Sequence, residues 1–497
     1  MIASSKRPGK RFLSMTRSQL TILALLGILF CSLISAFIGL AFYQNRPLPT
    51  YIPTLPIPTS IPPTPTPTIT QTPIPTSTAT ITQTPIPTST PTITATSTPE
   101  PTITPTKGIA KPPDTTENIH VALIFNDQVA KPEDEIGYVD LVWGSRFPAQ
   151  PEGVYNLYYY PFDRDRDGGT GGLHHDITWF LENHPDWIEY TCDQKTPAYE
   201  YGNPHVPLDI TNPAVIEYMM QTYIVPAIQK GYQGIAFDNV DFNNNGYRCG
   251  VWRDGVWVEQ SNYIGNILAW ASSMYTRLHA LNVSVAMNFP YDLNYPAESD
   301  QIYQYLDIAV DERGFTNWGR SQDDYFSDRT WLTNMQALLS LDALGKGFVS
   351  INEMPEDFDV VSQAEKQWAL ANYLLVKGRY SYIAITGVQE YGIIFTTPEY
   401  SAAIGHALNA MYQSQDVYMR DFSNGLAIVN PSSSQSFTIT LPTDIYQDLY
   451  GNNLDTITLE PRSGIVLLRK SASTSYLFFS PKNTSLIFPP LQFVLFP

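Results

Sequence analysis

Five acids stand at or just after the ends of short apolar runs. Asp238 and Asp241 follow Gly234-Ile235-Ala236-Phe237, Asp311 and Glu312 follow Ile308-Ala309-Val310, and Glu353 follows Gly347-Phe348-Val349-Ser350-Ile351-Asn352. Two carboxyl groups facing one acetal can cleave it: one protonates the leaving oxygen, and the other attacks the anomeric carbon or activates water. On an extended chain Ala236 and Asp238 share a face, which places a small residue below and the acid at the strand end. Asp238 is therefore expected to be the nucleophile or base, and Asp241 to bind substrate. Asp311 and Glu312 point opposite ways, so only one of them can face a common pocket. Glu312 is taken as the proton donor, with Asp311 the open alternative. Glu353, Asp311, Asn288, Trp318 and Tyr160 are further expected substrate contacts. For any single acid, an N-cap or a salt bridge to Arg313 or Arg320 is the competing explanation. The chemistry calls for no cofactor and no metal.

The elements that must position these acids alternate between strand and helix. Asn212-Pro213 reads as a helix N-cap followed by proline at the first helical position. The segment 214–229 then places Ile216, Met219, Met220, Tyr223 and Ile224 on one face, and Gly231 ends the helix before the Asp238 strand. Helices over 263–281, 331–344 and 364–376 alternate with strands 283–288, 308–310, 347–353 and 382–386. Runs at 119–125, 138–143 and 154–160 read as earlier buried strands. This repetition is what a parallel α/β barrel needs, and parallel barrels carry their chemistry at the carboxyl ends of the strands. After Tyr412 the pattern becomes short strands separated by turn residues, predicting a small antiparallel β-sandwich.

The 497 residues carry a formal charge of -18 with no basic stripe, which argues against a nucleic-acid partner. Lys6, Arg7, Lys10, Arg11 and Arg17 precede an uncharged apolar run from Leu20 to Tyr43, which is about 24 residues and long enough to cross a bilayer. The expectation is an uncleaved signal anchor with a cytoplasmic N-terminus and everything beyond it outside the cell; a cleaved signal peptide is the alternative. The following Pro/Thr/Ser-rich stretch repeats Ile69–Thr80 as Ile81–Thr92 and cannot bury a core. It reads as a disordered stalk. The organisation expected is a basic tail over 1–19, the anchor over 20–43, the stalk over 44–117, the barrel over 118–412, the β-sandwich over 413–470 and an apolar tail over 471–497.

Of the three cysteines, Cys192 and Cys249 lie in loops flanking the Asp238 strand, and an oxidising exterior permits a bond between them. The alternating aspartates of Asp163-Arg164-Asp165-Arg166-Asp167 are similar to a calcium loop, but they lack the downstream glutamate and carry two competing arginines. His174, His175 and His205 precede the Asp238 strand as isolated histidines. Trp143, Trp187, Trp252, Trp257 and Trp318 are candidate sugar platforms or core residues.

At Gly234-Ile235-Ala236-Phe237-Asp238-Asn239-Val240-Asp241, preceded by Leu208-Asp209-Ile210-Thr211-Asn212-Pro213, the chain resembles bacterial glycoside hydrolases of the type called glycoside hydrolase-like family 15. The resemblance covers roughly 119–411 and implies a (β/α)8 TIM barrel with glycosidase activity. The segments 448–451 and 461–468 look like the β-sandwich that often follows such barrels. The expected function is cleavage of O-glycosidic bonds in a polysaccharide or oligosaccharide by a membrane-anchored, extracellular monomer. A non-catalytic carbohydrate-binding protein on a degenerate barrel is the alternative, and the distance from Asp238 to the other acids separates the two.

Overall fold

The computed structural model describes residues 111–148, 152–165, 175–200, 205–443 and 445–470. Contacts divide the chain into 1–96 and 97–497. The expected anchor, most of the stalk, the apolar tail, His174, Arg166 and Asp167 lie outside the described residues. No helix among the described residues is long and apolar enough to cross a membrane.

Eight strands form one sheet: β1 (Ala122–Ile124), β2 (Leu141–Trp143), β3 (Tyr155–Pro161), β4 (Gly234–Asp238), β5 (Ser284–Asn288), β6 (Ile308–Asp311), β7 (Gly347–Glu353) and β8 (Ser381–Thr386). They run in chain order and every ladder between them is parallel. Val121 bridges to Ile383, and the Ile383 amide donates to the His120 carbonyl at 3.0 Å, which closes the sheet into a barrel. Alternate residues fill the interior, with Ala236 of β4 level with Tyr159 of β3 and Ala286 of β5. The TIM barrel read from the sequence is present.

Its outer ring is thinner than the regular alternation implies. A single turn of 3-10 helix (Pro132–Glu135) follows β1, and no helix joins β2 to β3 or follows β8 among the described residues. Among the described residues, the remaining connections carry a short helix over Ile177–Asn183 and then α1 over 213–230, α2 (Tyr263–Ala280), α3 (Pro296–Ile302), α4 (Asp328–Ala343) and α5 (Gln363–Val376). Asn212 caps α1 by accepting from the Ala214 amide, and Pro213 takes the first turn. Inside α1, Pro226 cannot donate to the preceding turn, and the chain takes one π-helical stretch, Met220–Ile224, just before it. Gly231 ends α1 at φ 108°, a conformation that costs a residue with Cβ far more than glycine.

Between β3 and α2 the chain makes an excursion that pattern reading missed, because its strands are short and carry polar residues. Glu189–Thr191, Arg248–Arg253 and Val256–Glu259 form a three-stranded antiparallel sheet. Cys192 and Cys249, 57 residues apart, are joined by a disulfide across it, with Cα atoms 5.0 Å apart. Asp209 of the Leu208–Pro213 segment accepts from Arg253 at 2.6 Å and Gln260 at 2.9 Å, so that motif ties the excursion down.

After Tyr412, a six-stranded antiparallel sheet and a two-stranded one enclose their own core of Val417, Leu426, Ile428, Ile439, Ile457 and Leu467. The larger sheet packs on α5. Arg420 donates to the terminal α5 carbonyls of Leu374 and Leu375 and to that of Lys377 at 2.8–3.2 Å, satisfying acceptors that a helix end leaves open.

Candidate active site

β4 delivers Asp238 to the barrel mouth with three donors already aimed at it. Tyr159 of β3 donates to Oδ2 at 2.6 Å, the Asn239 amide donates to the same oxygen at 3.1 Å, and Asn288 Nδ2 donates to Oδ1 at 2.9 Å. Asn239 holds φ 58°, a left-handed residue directly after the acid. Asparagine tolerates that conformation better than most residues with a side chain, so the chain turns away at once and leaves the carboxylate at the strand end.

Glu312 follows β6. Its Oε2 accepts from the same Asn288 Nδ2 at 3.0 Å, and its Oε1 accepts from Tyr391 at 3.0 Å. An amide nitrogen carries two hydrogens, so one can serve each carboxylate. Because both oxygens touch one nitrogen, at 2.9 and 3.0 Å, they lie no more than 5.9 Å apart. Burial, then the neighbouring Asp238 charge, raise the Glu312 carboxyl above the ordinary glutamate range, against the two donors that favour its charged form. This environment favours a protonated glutamic acid beside a hydrogen-bonded aspartate.

Asn288 and Glu312 line a cavity of about 390 Å³ together with Asn239, Asp241, Asp292 and Trp318, among others. Asp241 accepts from the Asn243 amide at 2.7 Å and from Asn245 at 3.3 Å. Burial, reinforced by the charges of Glu200 and Asp163, pushes its carboxyl up to about 7. Behind it lies a buried ionic cluster. Arg248 pairs with Asp163, with Glu189 at 2.7 Å and with Glu200 at 3.5 Å, while Arg164 pairs with Asp163 at 2.8 Å and with Glu200. Three carboxylates share two guanidinium groups there. Glu189, held by an approach that is off the hydrogen-bond axis, is pushed by burial up to about 8.

Two expected contacts, Tyr160 and Asp311, fall elsewhere. Tyr160 is fully buried on the outer side of the sheet against Tyr223 and Phe237, and its hydroxyl donates to the Arg164 carbonyl. The strand period explains the correction: Tyr159, one residue earlier, has the parity of Ala236 and points inward. Asp311 is buried and engaged by the Arg313 guanidinium at 3.2 Å and its backbone amide at 3.0 Å, the salt bridge that competed with a site role. Glu353 accepts from the Gln389 amide at 3.0 Å; like Asp238 it is not among the residues lining the cavity, but its charge acts on Glu312 and Tyr391, which places it beside the pair. Tyr391, which the sequence reading passed over, lies in an irregular loop after β8 where no periodicity marks it.

The calcium-like loop is committed to other partners. Asp163 holds arginines, and Asp165 accepts from Tyr218 at 3.0 Å, from Tyr223 and from the His175 amide at 2.9 Å. His175 stacks on Trp179 at 3.6 Å, and His205 is buried away from the cavity lining. Trp143 and Trp187 are core, and Trp252 packs edge-on to Trp257 at 5.6 Å.

Comparison with known proteins adds a family. Residues 156–426, more than half of the chain, match the family described as hypothetical glycosyl hydrolase family 15. The chain belongs to that family. Its class is accordingly that of a glycosidase, as the strand-end acids led one to expect. No curated protein matches. Among solved structures, the chain is similar to a noncanonic maltogenic alpha-amylase from Thermotoga neapolitana, at 13% identity and TM-score 0.37 over 64% of this chain and 78% of that one. It is also similar to a GH36 alpha-galactosidase from Geobacillus stearothermophilus, at 11% identity and TM-score 0.36 over 72% and 56% of the two chains. A GH31 dextranase from Flavobacterium johnsoniae has 10% identity and TM-score 0.39 over 72% and 52%. The chain thus spans less than two thirds of the length of the galactosidase and the dextranase.

Proposed function

We propose that this family member is a retaining glycoside hydrolase in which Asp238 is the nucleophile and Glu312 the acid/base. The observation that carries the reading is the shared amide: Asn288 Nδ2 contacts both carboxylates and holds their facing oxygens no more than 5.9 Å apart. Retaining enzymes hold the pair at about 5–5.5 Å, whereas inverting enzymes need about 6.5–9.5 Å to admit a water. In the first step Glu312, whose protonated form is favoured by burial and by Asp238, gives its proton to the glycosidic oxygen as Asp238 attacks the anomeric carbon. In the second step Glu312, now ionised, takes a proton from water, which releases the sugar from Asp238. Tyr159 and Asn288 orient the nucleophile throughout. A binding-only barrel has no need for two acids within one sugar of each other, so the same separation favours catalysis.

Tethering completes the proposal. The apolar run 20–43, with basic residues on its N-terminal side, anchors the chain, and the proline-rich stretch beyond it holds the barrel outside the cell, joining the barrel by Thr115, which is buried against Arg379 and Lys377. The enzyme acts as a monomer on a polysaccharide or oligosaccharide, binding it through Asp241, Asn288 and Trp318. The test is a polysaccharide panel scored for released reducing ends. Wild type is expected to cleave at least one polymer, and Asp238→Asn and Glu312→Gln to lose at least 100-fold of that rate. Full activity in either variant removes that residue from the proposed pair.

A further inference from the structure

The loop after β6 does more than present Glu312. It is clamped against the end of β7: the Phe315 amide donates to Asn352 Oδ1 at 2.8 Å, and a Cβ at Gly314 would collide with the Ile351 carbonyl. The loop then carries three consecutive left-handed residues, Asn317, Trp318 and Gly319, at φ 52°, 60° and 67°. Glycine adopts this conformation freely and asparagine at small cost, but tryptophan does so only when the surroundings impose it. Such strain clusters where a side chain must be aimed. Here it turns a large apolar ring outward: Trp318 lines the cavity that holds Glu312 yet stays 46% exposed, and its indole N–H has no hydrogen-bond partner among the described residues.

The charge on the rest of the wall is one-sided. Asp241, Asp292 and Glu312 line the cavity, with asparagine amides between them. Among the described residues that line it, Arg313 is the sole cation. Its guanidinium is committed to Asp311 at 3.2 Å, the Tyr291 carbonyl at 3.1 Å and Asn334 at 3.3 Å, and only 12% of its side chain is exposed. No free cation on this wall can pair with a ligand carboxylate or sulfate. A flat indole with an open N–H suits the apolar face and peripheral hydroxyl of an uncharged sugar.

We infer that Trp318 is the stacking platform of a glycan subsite beside the Asp238–Glu312 pair, and that this subsite takes uncharged sugar units of a polymer and rejects uronate or sulfated ones. The inference rests on the glycoside hydrolase reading for its location, but its test is binding and does not depend on turnover. Full-length Asp238→Asn protein would be run in affinity gels containing dextran, pullulan, galactomannan or hydroxyethylcellulose as neutral probes, and polygalacturonate, alginate or carboxymethylcellulose as anionic ones. Retardation by at least one neutral polymer and by none of the anionic ones is expected. Trp318→Ala should weaken that retardation at least tenfold, while Trp318→Phe, which keeps an aromatic face, should retain most of it. Retardation only by anionic polymers, retardation that Trp318→Ala leaves unchanged, or no retardation by any neutral probe would each overturn the inference. Wild-type protein scored on the bound polymer then separates the two ideas: binding through Trp318 without cleavage would sink the catalytic reading and leave the subsite standing.

Discussion

Tyr391→Phe isolates one hydrogen bond on the proton donor while keeping the ring. Tyr391 donates to Glu312 Oε1 at 3.0 Å, and its ring packs beside Phe125 with centroids 6.4 Å apart, a contact that phenylalanine preserves. The Glu312 carboxyl is already raised by burial and by Asp238, and the Tyr391 and Asn288 donors oppose that rise by stabilising the charged form. A hydrogen bond to a charged group contributes about 1.5–3 kcal/mol, so its loss makes ionising Glu312 costlier by up to that amount and moves its carboxyl further up. Glu312 is partly exposed, and water replacing the hydroxyl brings the expected cost to the lower end of that range. A general acid works while protonated, so the basic limb of kcat/KM against pH follows its titration in the free enzyme. That limb should move to higher pH in Tyr391→Phe. The assay is initial rate from pH 4 to 10 on the first polymer that wild type cleaves, with thermal unfolding as the folding control. A folded variant whose basic limb stays put, or moves down, would refute the role given to Glu312.

Two other outcomes follow from the packing. Glu189 is a raised acid, at about 8 in the folded chain, so the folded state binds its proton more tightly than the unfolded state does. The resulting stability is fully present below the ordinary glutamate pKa of about 4.5 and is lost as pH rises through about 8; unfolding free energy should therefore fall across that window by on the order of a few kcal/mol, read as a lower melting temperature, and Glu189→Gln should flatten the fall. Arg420→Ala leaves the carbonyls of Leu374, Leu375 and Lys377 without their donor at the seam between α5 and the C-terminal sheet. A loss of about 1–3 kcal/mol is expected, read as a lower melting temperature and faster limited proteolysis near Tyr412.

How far the sequence reaches depends on the kind of constraint each residue obeys. Strand ends were legible because apolar runs that stop at acids are local patterns, and they led to Asp238, Asp241 and Glu312. The cap at Asn212-Pro213 and the stop at Gly231 were legible for the same reason. Side-chain direction on β3 was not: Tyr158, Tyr159 and Tyr160 are chemically alike, and only the register against β4 shows that Tyr159 faces inward and Tyr160 outward. The choice between Asp311 and Glu312 likewise turned on which side the Arg313 guanidinium occupied. Tyr391 reaches Glu312 across 79 positions of sequence, a contact that no local pattern encodes. The excursion built on Cys192–Cys249 was hidden because its strands are short and its buried charges read as solvated ones.

The stereochemistry of cleavage tests the central claim most directly. Proton NMR of the reducing end formed in the first minutes of hydrolysis, before mutarotation mixes the anomers, reports whether configuration at the cleaved carbon is kept. With Asp238 and Glu312 bridged by one amide and their facing oxygens no more than 5.9 Å apart, the first-formed product should carry the anomeric configuration of the substrate. An inverted first product would contradict the account, since it calls for the wider spacing of an inverting pair.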